Sequence, residues 1–471
     1  MTKQECAIKY ITENYLDYRR LRHDIVSDKL QIRMDLEETK GERLEVKGRE
    51  YWREMTKHDI NSIVCHCAQE YDANITSREV MTALQSDLIP DVHPLREYIN
   101  ALPRYTPDQP DWIDFVAQQV RVRESSADRP KGLSERTACC QTTMLLDRPY
   151  GAERPTNLTG EADLTISEAH GLTSNSSQRE RSKADRLWRA CFKKWFVAMV
   201  ASWMKDEVVN HQVLVLIGKQ GIFKTTWLEH LIPPHLRAYA CKLANSNDLN
   251  KDERLRIAEF GLISLDEIDS MNNRELNQLK SVITATDVNE RAAYAYTKER
   301  RVRLASFCAS GNRRDFLTDI TGNRRWLPFE VESIQNPFYT ILPYERMYAQ
   351  AWALAQDPLF SYWFDLDEIE VLEEHNQHFR DESNEEQLLP ILFDVPAEGK
   401  GEFMTTAQIS ERLVTYGNIK KPMALSRLGM VLGAAGYQST RPKIGGRLIR
   451  GWLVYQRDTD EIASLKRLLK E

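Results

Sequence analysis

The chain has 471 residues, a formal net charge of −6, 42% hydrophobic residues and 28% charged residues. This length predicts roughly two to four domains with ample core, and the composition is ordinary for a soluble globular protein. The overall charge gives no sign of a nucleic-acid partner, which would have to show in local basic patches. Neither a secretory signal nor an apolar run of bilayer length is present, which predicts a cytoplasmic protein with no membrane partner. The eight cysteines lack regular pairing and are expected to be reduced.

Residues 1–124 are predicted to form a mixed α/β or helical region that serves as an adaptor or binds DNA or a partner. The stretch 15–33 suggests two short strands around a polar turn, and helices are expected over 59–71 and 77–86. A further helix begins at His93-Pro94, because proline suits the first helical position. This region lacks a metal-spaced carboxylate pair with a histidine, so primase activity is not expected.

Residues 125–182 are rich in Ser, Thr, Arg, Glu, Gly and Asn and are predicted to be a flexible linker. From 184 to 206 three tryptophans recur with other apolar residues at helical spacing. We expect this helix face to pack on the core that follows; the alternative is a partner-binding stripe.

An apolar strand over 214–217 runs into a glycine turn and then Lys224-Thr225. A triphosphate needs converging backbone N–H groups, a lysine for its outer phosphates and a hydroxyl for Mg²⁺. Phe223 departs from the G-x-x-x-x-G-K-[ST] pattern, since a second glycine is expected there, and it is costly if the position requires positive φ. The candidate nucleotide-binding residues are Gly218, Lys219, Gln220, Gly221, Ile222, Phe223, Lys224, Thr225 and Thr226.

A second apolar strand, 261–265, ends in the adjacent acids Asp266 and Glu267. Asp266 is the predicted Mg²⁺ ligand together with Thr225, and Glu267 is the predicted residue that orients or deprotonates the attacking water. The alternative is a buried strand that meets a charged helix start.

A third apolar strand, 304–310, leads to Asn312, whose amide suits contact with a γ-phosphate and the lytic water. Arg324 and Arg325 follow on a turn before the strand 327–331. Arginine supplied across a subunit boundary stabilises charge on a transferred phosphoryl group, and either arginine is a candidate for that role. The alternative for each is a salt bridge within its own subunit.

These four segments, 218–226, 262–269, 306–312 and 322–328, resemble the virulence-associated E ATPases of phages and mobile genetic elements. That family is similar to superfamily 3 helicases within the AAA+ class. The resemblance covers residues 185–335 well, 85–125 weakly and the rest poorly. It implies Walker A, Walker B, sensor 1 and arginine-finger motifs at these segments, with ATP and Mg²⁺ as cofactors.

Between residues 291 and 325 there are nine Arg or Lys residues and three acids. A helix is expected over 272–284, followed by a hairpin over 288–303 with its turn near Lys298. Basic residues interleaved with tyrosines suit phosphates and unstacked bases. By resemblance, a pre-sensor hairpin lies here and grips DNA in a central pore; the alternative is a solvated hairpin with structural tyrosines. The DNA-binding candidates on it are Arg291, Tyr294, Tyr296, Lys298 and Arg300.

The ATPase core is assigned to 183–364, with a small helical lid or the end of the core over 338–364. Residues 365–402 hold thirteen acids and two bases and are predicted to be an acidic linker. Residues 403–471 are predicted to form a winged-helix domain, with helices over 405–413 and 424–434 and a basic hairpin. Lys443 and Arg447 on that hairpin would contact phosphates. A winged helix used for protein docking is the alternative.

The expected fold is therefore α/β: a P-loop AAA+ core of superfamily 3 type with a mixed N-terminal region and a C-terminal winged helix. The expected function is ATP-dependent helicase or translocase activity on single-stranded or forked DNA, by a homo-oligomeric ring of about six subunits such as motors of this class form. Primase or other replication proteins are candidate partners. The alternatives are a nucleotide-dependent regulatory switch and a DNA-tethering replication adaptor, neither of which would translocate.

Overall fold

Helices and strands alternate through most of the chain in the computed structural model, which describes residues 1–34, 51–123, 182–243, 251–290, 299–317, 323–396 and 401–468. The backbone forms two units, one from residues 1–312 and 325–371 and the other from 313–324 and 372–471. Among the described residues, no helix combines the length and apolar character that a bilayer crossing requires.

The α-helices are α1 (Lys3–Ile11), α2 (Lys57–Tyr71), α3 (Ser77–Leu84), α4 (Pro94–Asn100), α5 (Trp112–Ala117), α6 (Lys183–Met204), α7 (Lys224–His230), α8 (Lys251–Glu259), α9 (Asn273–Thr284), α10 (Tyr344–Gln356), α11 (Leu366–Gln377), α12 (Asn384–Leu392), α13 (Thr406–Gly417), α14 (Leu425–Ala434) and α15 (Thr459–Leu468). The strands are β1 (Leu21–Asp24), β2 (Lys29–Met34), β3 (Tyr51–Glu54), β4 (Asp91–Val92), β5 (Val120–Val122), β6 (Val213–Ile217), β7 (Ala240–Leu243), β8 (Leu262–Leu265), β9 (Asp287–Glu290), β10 (Glu299–Val302), β11 (Ser306–Gly311), β12 (Trp326–Ile334), β13 (Phe393–Asp394), β14 (Glu402–Met404), β15 (Gln438–Thr440), β16 (Lys443–Ile444), β17 (Arg447–Leu448) and β18 (Gly451–Gln456).

The N-terminal part of the first unit is a small sheet of order β3-β2-β1-β4 with helices α1 to α3 beside it. The two strands and the helices predicted from the sequence are confirmed. Thr56 and Thr76 each begin a helix with a capping box. The threonine hydroxyl accepts from a backbone N–H of the first turn, and the carboxylate three residues later accepts from the backbone N–H of the threonine. Buried apolar residues of α1, α2 and α3, among them Ile11, Ile63 and Val80, form one core cluster.

The central sheet of the first unit has the order β5-β12-β6-β11-β8-β7. Strands β12, β6, β11, β8 and β7 are parallel to their neighbours, and β5 is antiparallel to β12. Strands β6, β8 and β11 are buried throughout, as expected of a parallel sheet covered on both faces. Because these three strands are parallel, their carboxyl ends lie at the same edge of the sheet. The α/β class predicted from the sequence is confirmed.

Helix α6 carries the three tryptophans that the sequence places on a core-facing side, and all three are fully buried. Each indole N–H donates to a backbone carbonyl of a different segment: Trp188 to Ala117 at 2.9 Å, Trp195 to Phe307 at 3.1 Å and Trp203 to Gly261 at 3.1 Å. The prediction that this face packs on the core is thus confirmed.

Two helices, α11 and α12, occupy much of the segment 365–402 that the sequence predicts as an acidic linker. Their leucines Leu372, Leu389 and Leu392 are buried. The high acid content dominates the sequence pattern and draws attention away from the helical spacing of the leucines in the same segment. Helices with buried leucines thus occupy much of the segment that was expected to be an acidic linker.

In the second unit, α13 and α14 are followed by β15, the β16–β17 hairpin and β18, in the predicted order. The hairpin has a two-residue turn at Gly445 and Gly446, whose φ values are +57° and +84°. Two consecutive positive φ angles are what a tight hairpin turn needs, and glycine supplies them at little cost. Strand β18 pairs with β13, β14 and β15, and its Trp452 joins the buried core of this unit.

Candidate functional site

The turn between β6 and α7 contains the predicted glycine-lysine-threonine loop. Gly218 has no room for a side chain, because a Cβ atom there would lie 2.6 Å from the carbonyl oxygen of Val331. Gly221 has a φ of +84°, and Phe223 has a φ of +67°. The position at which the pattern expects a second glycine thus does require a left-handed backbone, and a phenylalanine adopts it. That conformation costs about 1–2 kcal/mol for a residue with a Cβ atom.

The other loop residues line the same turn. Lys219 and Gln220 are exposed, whereas Ile222 and Thr226 are half-buried. The backbone carbonyl of Lys219 faces inward and accepts from Lys224.

Lys224 begins α7 and points its buried ammonium group back into the loop. Its Nζ donates to the carbonyl oxygens of Gly218 and Lys219, both at 2.7 Å, and to Oδ1 of Asn312 at 3.3 Å. Burial lowers the pKa of this lysine, and the carboxylates Asp269 and Asp266 act in the opposite direction. The residues predicted to contact the outer phosphates, 224 and 312, are therefore brought together.

The hydroxyl of Thr225 lies against the carboxylate at the end of β8. Thr225 Oγ1 donates to Asp266 Oδ1 at 3.2 Å and lies 2.9 Å from Ser310 Oγ. Ser310 Oγ also donates to Asp266 Oδ1, at 2.7 Å. Residues from three parallel strands or the turns after them thus form one hydrogen-bonded group.

Lys242, at the third position of β7, completes this group from the neighbouring strand. Its Nζ lies 2.7 Å from Asp266 Oδ2. Burial raises the pKa of Asp266, but the bonds from Lys242, Ser310 and Thr225 outweigh it and hold the pKa below its ordinary value. The hydrogen bond to Asp266 raises the pKa of Lys242 in turn.

Glu267 and Asn312 lie beside this group. Glu267 is exposed and has a φ of +53°, a strained conformation that turns the chain directly after Asp266. The backbone N–H of Asn312 donates to Asp269 Oδ1 at 3.0 Å. Sequence reasoning assigned no role to Asp269, Ser310 or Lys242. Asp269 and Ser310 lie inside two of the predicted segments, so local patterns could have found them.

The donor set fits a magnesium ion held together with phosphates. Mg²⁺ prefers oxygen ligands and is usually bound by one or two carboxylates plus substrate phosphates. The Thr225 hydroxyl and the Asp266 carboxylate, which contact each other, supply that kind of set. Throughout the described part of the chain, no group of three or more His, Cys, Asp and Glu side chains is arranged for a metal.

Arg325 lies at the other end of the central sheet, and Arg324 before it is exposed. Trp326, the next residue, pairs with Val213 at the start of β6, whereas Lys224 follows the end of β6. The five residues of β6 between these ends span about 16 Å at the usual rise of a strand. Arg325 is half-buried and contributes, after burial and Arg303, to a lowered pKa of His211. Arg325 is therefore not brought to the Lys224 group of the same chain.

The predicted DNA-binding residues fall into three sets. Arg291, Tyr294, Tyr296 and Lys298 lie outside the described residues, although β9 and β10 confirm the base of the hairpin. Arg300 is exposed and donates to Asp287 Oδ2 at 2.7 and 3.0 Å. Lys443 and Arg447 are exposed on the β16–β17 hairpin.

Two other arginines of the basic stretch are structural. Arg301 Nη2 donates to Asp28 Oδ2 at 2.8 Å. Arg303 is fully buried and donates to the carbonyl oxygens of Ala305, Ile283 and Asn210. Burial lowers its pKa to about 9. The local excess of positive charge counted from the sequence thus overstates what the surface offers to DNA.

Comparison with known proteins gives one family match. The model of the virulence-associated protein E-like domain matches residues 172–386. The apo structure of the NrS-1 C terminal region aligns with a TM-score of 0.40 and 12% identity, covering 96% of this chain and 100% of that chain. The A form apo structure of the same region aligns with a TM-score of 0.40 and 11% identity, covering 96% and 99%. No curated protein matches the chain. Residues 172–386, which include Lys224, Asp266 and Asn312, are thus similar to the virulence-associated protein E-like domain.

Proposed function

We propose that the chain is an ATPase of the AAA+ class. The single observation that carries the proposal is the group formed at one edge of the parallel sheet, in which Lys224 contacts Asn312 and Thr225 contacts Asp266. A buried ammonium group, a hydroxyl and a carboxylate at this spacing suit a triphosphate and its magnesium ion. The strand order, in which β6 lies between β12 and β11 and is followed by the glycine turn, supports the same function.

In this proposal each residue has a defined part. Lys224 binds the outer phosphates, and Thr225 and Asp266 hold Mg²⁺, which would neutralise charge that develops on the phosphates. Glu267 orients or deprotonates the attacking water, and Asn312 contacts the γ-phosphate and that water. Arg324 or Arg325 reaches the site of a neighbouring subunit. The distance between the ends of the sheet supports this role in trans for Arg325, which is not near Lys224 of its own chain.

We propose further that ATP hydrolysis moves DNA through a ring of about six subunits, as in motors that stabilise phosphoryl transfer across subunits. The hairpin that β9 and β10 begin would contact single-stranded or forked DNA through Arg300 and the tip residues around Lys298. The second unit, with two helices followed by a basic glycine-tipped hairpin, would act as a winged helix whose Lys443 and Arg447 contact phosphates. The role would be replication of a phage or mobile genetic element.

A regulatory switch without translocation is the second candidate. Phe223 favours it, because this bulky residue holds the loop in a strained conformation and such strain is found in switch regions. A replication adaptor with little hydrolysis is the third candidate.

ATPase activity measured with and without single-stranded DNA separates these functions. A motor hydrolyses ATP faster when DNA is present, a switch hydrolyses it at a rate that DNA does not change, and an adaptor hydrolyses it barely. Negative-stain imaging with ATP and a forked duplex then tests the ring directly. Hydrolysis that DNA leaves unchanged, together with the absence of rings, would overturn the motor.

A further inference from the structure

Three aromatic rings lie together beside the glycine-lysine-threonine loop. The ring of Phe338, in the segment after β12, lies edge-on to Phe223 with the ring centroids 6.5 Å apart. It also lies edge-on to His230, at the end of α7, with the centroids 5.5 Å apart. Phe338 is 70% exposed, although exposed phenylalanine rings are costly in water. The described contacts of this ring therefore leave most of its surface open.

Hydrogen bonds join the segment that follows Phe338 to the end of α7. The Tyr344 hydroxyl donates to the carbonyl oxygen of His230 at 2.6 Å, and the Tyr348 hydroxyl donates to that of Leu231 at 3.0 Å. Tyr348 is fully buried, and Pro337 beside the ring is buried too. These contacts fix the segment against the end of α7 and thereby hold the exposed ring beside the loop.

Phe223 joins this cluster at a cost in backbone energy. Its φ of +67° is one that glycine adopts freely and a phenylalanine does not. Strain of this kind persists where the surrounding structure requires the residue, and it clusters at ligand sites. A ring at this position provides an apolar surface directly before Lys224, which glycine could not.

We propose that Phe223, His230 and Phe338 form the site for the adenine base of the nucleotide, an inference that rests on the proposed function. In ATP only the ribose separates the base from the phosphates, so a triphosphate bound at Lys224 has its base within reach of neighbouring rings. An exposed aromatic ring is the surface on which a nucleobase stacks. Phe223 directly precedes Lys224, and Phe338 contacts both Phe223 and His230, so the base of the same nucleotide is the occupant of this surface.

The histidine gives the site a preference for adenine over guanine. His230 Nδ1 lies 2.7 Å from the carbonyl oxygen of Thr226. A carbonyl oxygen only accepts, so Nδ1 carries the proton, and Nε2 of the neutral ring is an acceptor. An acceptor matches the exocyclic amine of adenine at C6 and mismatches the oxygen of guanine at that position.

The test compares a ligand that carries the nucleoside with one that lacks it. Calorimetric titration in the presence of magnesium measures the affinity of wild-type protein for the non-hydrolysable imido analogue of ATP and for inorganic tripolyphosphate. Phe338→Ala is expected to weaken binding of the ATP analogue roughly tenfold, because the base loses a stacking ring, while tripolyphosphate binding stays the same. His230→Phe should reduce the preference for the ATP analogue over the GTP analogue.

Tyr339→Ala is the matched control, since that ring is 87% exposed on the same segment and is expected to leave both affinities unchanged. Equal losses for the ATP analogue and tripolyphosphate in Phe338→Ala would overturn the base site and leave the proposed ATPase standing. Wild-type protein that binds tripolyphosphate as tightly as the ATP analogue would likewise overturn the base site and leave the proposed ATPase standing. Wild-type protein that binds neither ligand would overturn the proposed function itself.

Discussion

Lys242 donates to Oδ2 of Asp266 at 2.7 Å, while Oδ1 of the same carboxylate accepts from Thr225 and Ser310. Both oxygens of the acid at the end of β8 are thereby engaged, and the carboxylate is held in one orientation. Three segments far apart in the chain meet at this one side chain. Its ionised form is favoured by all three contacts.

Removing the Lys242 contact is expected to lower stability in a pH-dependent way. Since the folded-state pKa of Asp266 is lowered, its ionised form contributes stability above the unfolded pKa, and this contribution is lost as pH falls through the folded pKa. Lys242→Met should lower the free energy of unfolding by about 0.5–1 kcal/mol at neutral pH, a small value because both partners are partly exposed. Urea unfolding measures it.

The difference between wild-type protein and Lys242→Met should stay constant down to about pH 4, near the ordinary pKa of an aspartate, and shrink only below it as Asp266 takes up its proton. Lys29→Met, which breaks an exposed pair with Glu54, is the control. A difference that grows on acidification would contradict this account of Asp266.

Lys224→Ala and Glu267→Gln should both abolish ATP turnover, but for different reasons. Loss of the lysine removes a charge from the phosphate site, so the variant should also fail to bind ATP. Loss of the carboxylate affects the attacking water, so Glu267→Gln should still bind ATP and turn it over at least about 100-fold more slowly. Steady-state ATPase assays and calorimetric titration with ATP separate the two effects, with Lys9→Ala on α1 as the control. Normal turnover in either variant would exclude the assigned role.

Phe223→Gly is expected to raise stability and weaken ATP binding at once. Glycine removes a left-handed strain of about 1–2 kcal/mol but also raises the entropy of the unfolded chain, so the net gain should be below about 1 kcal/mol. Phe223→Ala keeps the strain and loses the ring, so it should bind ATP weakly with no gain in stability. Urea unfolding of both variants measures the comparison, and equal stabilities would show that the backbone at 223 is not strained.

Arg303→Met should destabilise the fold strongly, whereas Arg300→Met should not. Arg303 is fully buried, and its removal leaves several carbonyl groups without a donor, at a cost of about 3 kcal/mol or more. The Arg300 side chain is 76% exposed and makes one surface pair, so its loss should change the free energy of unfolding by less than about 1 kcal/mol. Chemical unfolding of the two variants gives the comparison, and similar values would contradict the burial of Arg303.

Lys298→Ala is expected to lose the DNA-stimulated part of ATP hydrolysis and the separation of a forked duplex. In the proposed function its position at the predicted hairpin turn would bring it to the DNA strand. The ratio of turnover with DNA to turnover without DNA measures the effect, and Lys57→Ala on α2 serves as the control. A Lys298→Ala variant that separates strands normally would show that the pore assignment is wrong.

Local patterns predicted much of the candidate site because its residues stand at strand ends. Lys224, Asp266 and Asn312 each follow an apolar run, and the parallel sheet places these ends at one edge. Lys242 could not be found this way, since its contact depends on β7 lying beside β8, which no local pattern specifies.

The basic stretch after α9 shows the opposite limit. Composition treats Arg300, Arg301 and Arg303 alike. In the structure, Arg301 pairs with Asp28, which lies more than 270 residues earlier, and Arg303 is buried. Burial of a charged residue depends on neighbours supplied by tertiary structure, so a count of charges cannot reveal it.

The three indole bonds of α6 restrict how the first unit can deform. Each bond joins the helix to a different segment, and hydrogen bonds weaken quickly when a donor shifts along the helix by the 1.5 Å rise of one residue. Sliding of α6 against the sheet would break all three together. We therefore expect the helix to move together with the end of α5, β11 and the start of β8, and rearrangements that accompany ligand binding to concentrate in the turns around them.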